Sequence, residues 1–125
     1  MMNFIKTEKA PAAVGPYSQG VEIKGTLYVS GQIPFIPETM ELVGESIEVQ
    51  TRRSLENIKA IVEKAGYKIQ NIVKCQVFLT DMNEFGKMNK VYEDFFVGHK
   101  PARCAVEVSR LPKDVKIEID AICVK

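Results

Sequence analysis

The hydrophobic period of this chain switches from two to about 3.6 and back, twice over, and that order restricts the folds open to it. Extended runs from Gln19 to Lys24 and from Thr26 to Gln32 flank Gly25 and predict a hairpin, with a weaker short strand around Phe4 to Thr7 before it. Pro34, Pro37 and Gly44 mark an irregular connection. Ile47, Thr51, Leu55, Ile58, Val62 and Ala65 then recur every three or four residues, the stripe of an amphipathic helix with Ser46 as N-cap and Gly66 as stop. Alternation returns from Ile69 to Thr80, placing Val73, Cys75, Val77 and Leu79 on one face of a strand. Asp81 to Glu84 has the form of a capping box, and Phe85, Met88, Tyr92, Phe95 and Phe96 make a second helical stripe that ends at Gly98. Two last strands, about Arg103 to Ser109 and Val115 to Val124, join through Leu111-Pro112-Lys113-Asp114.

Two amphipathic helices cover one face of such a sheet and no more, so the order predicts a two-layer α+β sandwich, a mixed sheet of about six strands with both helices on one side. Residues 1–125 are read as one domain, long enough for a core and too short for two. The uncovered face must meet water or another copy of the chain. Ile122 and Val124 fall on that face and favour burial, which points to a homo-oligomer.

Charge and composition remove several function classes. Seventeen basic and 16 acidic residues leave a net charge of +1, and no basic run exceeds Arg52-Arg53, so nucleic acid is not an expected partner. No segment is apolar enough for a membrane span, and Met1 to Lys6 lacks a signal-peptide core; a cytoplasmic location is expected. Cys75, Cys104 and Cys123 are odd in number, have no CxxC spacing and lie in strand-like runs, which argues for reduced thiols rather than disulfides or zinc. His99 is the only histidine, so no multi-histidine metal site exists, and its place in a connector fits a surface residue.

The run Pro101 to Val108, followed by Ile117-Glu118-Ile119, carries the candidate chemistry. Arg103, Ala105 and Glu107 alternate with Cys104, Val106 and Val108, while Ile117, Ile119, Ala121 and Cys123 alternate with Glu118, Asp120, Ile122 and Val124. If Cys104, Val106 and Val108 cover the core together with Ile117 and Ile119, then Arg103 and Glu118 share the open face. Arginine offers a permanent cation and a planar fork of donors that matches a carboxylate. Glutamate offers a general acid or base when its environment raises its pKa. An interstrand ion pair explains the same two residues equally well. Gly15 to Gly20 and Ser30 to Pro34 are compact turns with no phosphate-loop signature, and spacing alone favours a structural role for both.

Taken together, Ala10-Pro11-Ala12-Ala13-Val14-Gly15-Pro16-Tyr17-Ser18-Gln19-Gly20, Ser30-Gly31-Gln32-Ile33-Pro34 and the stretch from Pro101-Ala102-Arg103 through Arg110-Leu111-Pro112-Lys113-Asp114 to Ile117-Glu118-Ile119 resemble the RidA/YjgF reactive-intermediate deaminase family. The resemblance implies a chorismate-mutase-like fold, a homotrimer with clefts between neighbours, no cofactor, and hydrolysis of 2-imino acids such as 2-iminobutanoate and 2-iminopropanoate to 2-oxo acids and ammonia. It assigns Arg103 to the substrate carboxylate and Glu118 to water attack and protonation, with Tyr17, Gly31, Asn89 and the backbone of Ala105 lining the cleft. Many members carry cysteine where this chain has Ala105, with Cys104 adjacent instead, so no thiol role is carried over. A non-catalytic binder of small carboxylates or of a protein partner is the alternative. Ribonuclease or translation-inhibitor activity, attached to some relatives, is disfavoured by the charge balance and the single histidine.

Overall fold

In a computed structural model that describes residues 1–125, two helices lie against a six-stranded mixed sheet. The strands are β1 (Asn3–Ile5), β2 (Gly20–Ile23), β3 (Thr26–Gln32), β6 (Ile72–Leu79), β7 (Ala102–Glu107) and β8 (Ile117–Val124), in the order β1-β2-β3-β8-β6-β7. Only β6 and β7 run parallel, because the helix between them carries the chain back across the sheet. The connection read as irregular contains a small separate hairpin, β4 (Phe35–Ile36) and β5 (Glu41–Leu42), whose two-residue strands are too short to leave a period.

Helix α1 (Ile47–Lys64) begins where expected, Ser46 Oγ accepting a hydrogen bond from Val49 N at 3.2 Å, and the chain turns away at Gly66 with φ 84°. Its buried face combines Ile47, Leu55, Ile58, Ile61 and Val62 with the polar side chains of Gln50, Thr51 and Asn57, which are hydrogen-bonded, and of Ser54, whose Oγ is not. Gln50 Nε2 donates to Gly44 O at 2.9 Å and Gln50 Oε1 accepts from Lys116 N at 2.8 Å, while Asn57 Nδ2 donates to Ile33 O and Phe35 O at 3.2 and 3.0 Å. These bonds moor the loops at the end of the sheet to the helix. Helix α2 (Phe85–Phe96) follows a short 3-10 turn in which Asp81 Oδ1 accepts from Asn83 N at 2.9 Å. It ends at Val97 and Gly98, both left-handed at φ 46° and 86°.

Leu27, Val29, Cys75, Val77, Leu79, Ile117, Ile119, Ala121 and Cys123 project from β3, β6 and β8 into one core with α1, Met88, Tyr92 and Phe96. The other face stays open and partly apolar: Tyr28 is 51% exposed and Val124 44%, with Phe78, Ile122 and Val106 beside them in register. Four details depart from the sequence reading. The first strand is Asn3–Ile5 rather than Phe4 to Thr7. A 3-10 turn occupies Ile69–Asn71, so β6 starts later than Ile69. The β6/β8 register slips between Ile72 and Lys74, burying Ile72 and leaving Val73 45% exposed instead of on the core face. Finally, β7 turns Ala105 toward the core and leaves Cys104 and Val106 exposed, the reverse of the expected faces.

Candidate functional site

The reversal of β7 separates the two residues expected together. Arg103 stands opposite Cys75 in the parallel β6/β7 pair, and Cys75 is a core residue on the helix side. Glu118 stands opposite Phe78 on the open side. Arg103 and Glu118 of one chain therefore point from opposite faces of the sheet, and the expected shared face is corrected. The reason lies at the edge. β7 is the outermost strand, where the cover thins, and α2 presents aromatic rings that take a long cationic side chain better than a bare apolar core would.

On the helix side, Arg103 Cζ sits 4.8 Å from the Tyr92 ring centroid and 5.3 Å from that of Phe85, and Nη1 donates to Asn89 Oδ1 at 2.6 Å. Phe85, Asn89 and Tyr92 are spaced i, i+4, i+7, one stripe of α2. A cleft of about 420 Å3 opens beside them, lined by Asn89, Tyr92, Glu93, His99, Lys100 and Arg103 among others. His99 Nε2 lies 2.8 Å from Ile72 O, and since a carbonyl only accepts, Nε2 carries the proton and donates. Tyr92 Oη is buried with no hydrogen-bond partner of good geometry; burial and the neighbouring Cys75 thiol both raise its pKa. Burial also pushes the thiols of Cys75 and Cys123 up, to about 11 and about 12, which leaves them protonated and inert. Cys104 faces away from Arg103, is exposed, and forms no disulfide.

On the open side, β3 carries one extra residue between Val29 and Gln32, a bulge that sets Gly31 directly against the Glu118 side chain. A Cβ at Gly31 would overlap the Glu118 carboxylate. Ser30 ties this bulge to the turn before β2, its Oγ donating to Ser18 O at 2.6 Å and its N–H to Gln19 O at 2.9 Å. Gln19 in turn clamps the N-terminal segment, donating to Pro11 O at 2.8 Å and accepting from Thr7 N at 2.7 Å. Both compact turns thus present Tyr17, Gly31 and Glu118 to one cleft of about 670 Å3, with Ile33, Phe35 and Met40 on its apolar wall. Burial first, and the Asp120 carboxylate second, raise the pKa of Glu118 above the usual carboxylate range.

The sequence-derived site residues thus fall into two groups. Tyr17, Gly31 and Glu118 share one cleft; Asn89 and Arg103 share the other, with Ala105 two residues along the same face of β7 as Arg103. Reading residues alone missed Phe85 and Tyr92, which were assigned wholly to the core stripe. The available signal was the polar Asn89 set between them on that stripe.

Fold and clefts together define an α+β protein that presents a fastened cation on one side of its sheet and a half-buried carboxylate on the other. The chain belongs to the RidA/YjgF family, described as Endoribonuclease L-PSP, which it matches over residues 7–125. It is 55% identical over 125 residues to a RutC family protein of Pyrococcus horikoshii, covering 100% of this chain and 99% of the relative. It is also 55% identical over 128 residues to the 2-iminobutanoate/2-iminopropanoate deaminase of Salmonella typhimurium, again at 100% and 99% coverage. Among solved structures, E. coli TdcF with bound serine superimposes with a TM-score of 0.95 at 48% identity, covering 98% of each chain.

Proposed function

We propose that this chain hydrolyses small 2-imino acids, in balance with their enamine tautomers, to 2-oxo acids and ammonia. Water adds to the C=N carbon, the resulting carbinolamine loses ammonia, and a C=O remains, so no oxidant and no cofactor is required. The observation that carries the reading is the division of Arg103 and Glu118 between opposite sheet faces. A complete site then needs two copies, the Arg103 cleft of one against the Glu118 cleft of its neighbour, which fits a homotrimer of chorismate-mutase-like subunits joined through the partly apolar open face. Arg103 binds the carboxylate, with Asn89 beside it and the backbone of Ala105 on the same wall. Glu118 places the water and moves a proton between it and the leaving nitrogen. Tyr17 and Gly31 close the other wall. The name of the Salmonella relative and the serine in TdcF support a small carboxylate ligand. No helix of the chain is long and apolar enough to cross a membrane, and we place the reaction in the cytoplasm.

The test is a coupled assay in which threonine dehydratase generates 2-iminobutanoate and semicarbazide traps what remains. The wild-type chain is expected to lower trapping and Arg103→Ala to leave it unchanged; equal behaviour of the two sinks the proposal. A binding module without turnover is the second reading, favoured by the amino acid seated in TdcF. Calorimetric binding of 2-oxobutanoate with no effect on trapping would select it.

A further inference from the structure

A guanidinium fixed by a carboxylate is fixed and neutralised together. Arg52 lies 5.6 Å over the Phe95 ring but also pairs with Glu56 at 3.4 Å, and Arg110 is gripped by both oxygens of Asp114 at 2.6 and 3.2 Å. Arg103 has no ion pair. Its neighbours are two π faces and a neutral amide, all from one stripe of α2. A ring attracts the cation through its quadrupole and uses none of its N–H donors, so the charge and the donors not spent on Asn89 stay available.

We propose that Phe85 and Tyr92 are positioning residues, a two-ring cradle that holds the uncompensated Arg103 guanidinium ready for a substrate carboxylate. The proposal rests on the reading of Arg103 as the carboxylate clamp and deepens it. The useful part of Tyr92 is its ring, because its buried hydroxyl meets only the Cys75 thiol and makes no hydrogen bond of good geometry. The helix that carries the cradle runs on from a 3-10 turn capped by Asp81 and stops at the left-handed pair Val97 and Gly98, so ring positions follow from backbone positions. Without the rings, a long and exposed side chain must be ordered at the moment of binding.

The probe is 2-oxobutanoate, a stable carboxylate that keeps the substrate's anionic end, titrated by calorimetry into the intact protein. Phe85→Leu and Tyr92→Leu are each expected to weaken its Kd about 2- to 12-fold, the range for ordering one rotamer-rich side chain. Tyr92→Phe, which keeps the ring, restores the affinity that Tyr92→Leu loses. In the Arg103→Ala background, Phe85→Leu adds no further loss, since both changes remove one unit. A purely structural role predicts an additive loss there, and that result overturns the cradle. So does an unchanged Kd in Phe85→Leu alongside a weakened Kd in Arg103→Ala; because Phe85 is only partly buried, this variant keeps the core intact. An unchanged Kd in Arg103→Ala has a different meaning and sinks the clamp itself.

Discussion

The two clefts solve opposite problems. Arg103 stands on an edge strand, exposed to solvent, and is immobilised by uncharged neighbours that leave its charge intact. Glu118 stands on β8 near the centre of the sheet, half-buried against a glycine, where loss of water and the Asp120 carboxylate weaken its charge. A group that recognises an anion must stay charged at every pH of interest, and arginine does so. A group that exchanges protons works best when its pKa approaches the working pH, and burial supplies that shift. Under the proposed function the contrast gives binding to one face and chemistry to the other, and substitutions on the two faces should therefore fail in different ways.

The largest effect is expected at Arg103. Arg103→Ala should lower kcat/KM for 2-iminobutanoate by about 100-fold or more, the scale for removing a charge-assisted clamp, and should also weaken 2-oxobutanoate binding. Arg103→Lys should recover only a fraction, because a point charge loses the fork. Retained oxo-acid affinity in Arg103→Ala would break the comparison at its binding half.

Glu118→Gln should also cost about 100-fold, but in kcat, with 2-oxobutanoate still bound, since general acid–base groups contribute on that order. The pH dependence follows the sign of the shift. With the Glu118 pKa raised, a reaction needing its carboxylate loses rate as pH falls through that raised value, so the acid limb lies above that of an ordinary carboxylate. Asp120→Asn removes a like charge and should move that limb toward lower pH. Stability takes the complementary form. A raised folded pKa means the native state holds the proton more tightly than the unfolded chain, so Glu118 costs stability at neutral pH and the cost fades as pH falls below its folded pKa. Glu118→Gln should then have a Tm at pH 7 no lower than wild type, read by thermal unfolding.

How much of this was legible in the sequence depends on which physical signal each part leaves. Both helices and the central strands were readable because a half-buried element must carry its period: the α1 stripe and the alternation from Ile117 to Cys123 are direct consequences of one-sided burial. Strand β7 defeated the same rule. At an edge neither face is fully buried, so Cys104 and Val106 looked like core while Arg103, which carries the charge, points to the helix side. The bulge in β3 and the slip in β6 were equally silent, since one extra residue leaves composition unchanged. Site residues were accessible mainly through the family's motifs, and the motifs do not record which face each residue takes.

Gly31 gives a sharper test of the Glu118 half. Its φ is not left-handed, so alanine costs little in the backbone, yet the added Cβ must displace the Glu118 carboxylate. Gly31→Ala is expected to lower kcat about tenfold, the penalty of misplacing a reacting group. Combining it with Glu118→Asp, which shortens the side chain, should lose less than the two single effects multiplied. Multiplicative loss would show that the bulge and the carboxylate act separately.

The smallest effect concerns the wall rather than the chemistry. Met40 lines the Glu118 cleft while held at φ 58°, a conformation that suits glycine and costs a bulky residue about 1 kcal/mol. Its backbone is fixed there by the tight turn in which Met40 N donates to Ile36 O at 2.7 Å. Met40→Gly relieves that strain but adds chain entropy to the unfolded state, so the net change in Tm should be no more than a few degrees in either direction. Removing the thioether opens the apolar wall next to Phe35 and Ile33, and selectivity should shift about threefold against imino acids with long apolar side chains relative to 2-iminopropanoate. The affinity for the carboxylate end, which the proposed function places at Arg103 of a neighbouring copy, should follow the cradle and not this wall. A matching loss of 2-oxobutanoate affinity in Met40→Gly would mean that the two clefts do not divide recognition as the two faces of the sheet suggest.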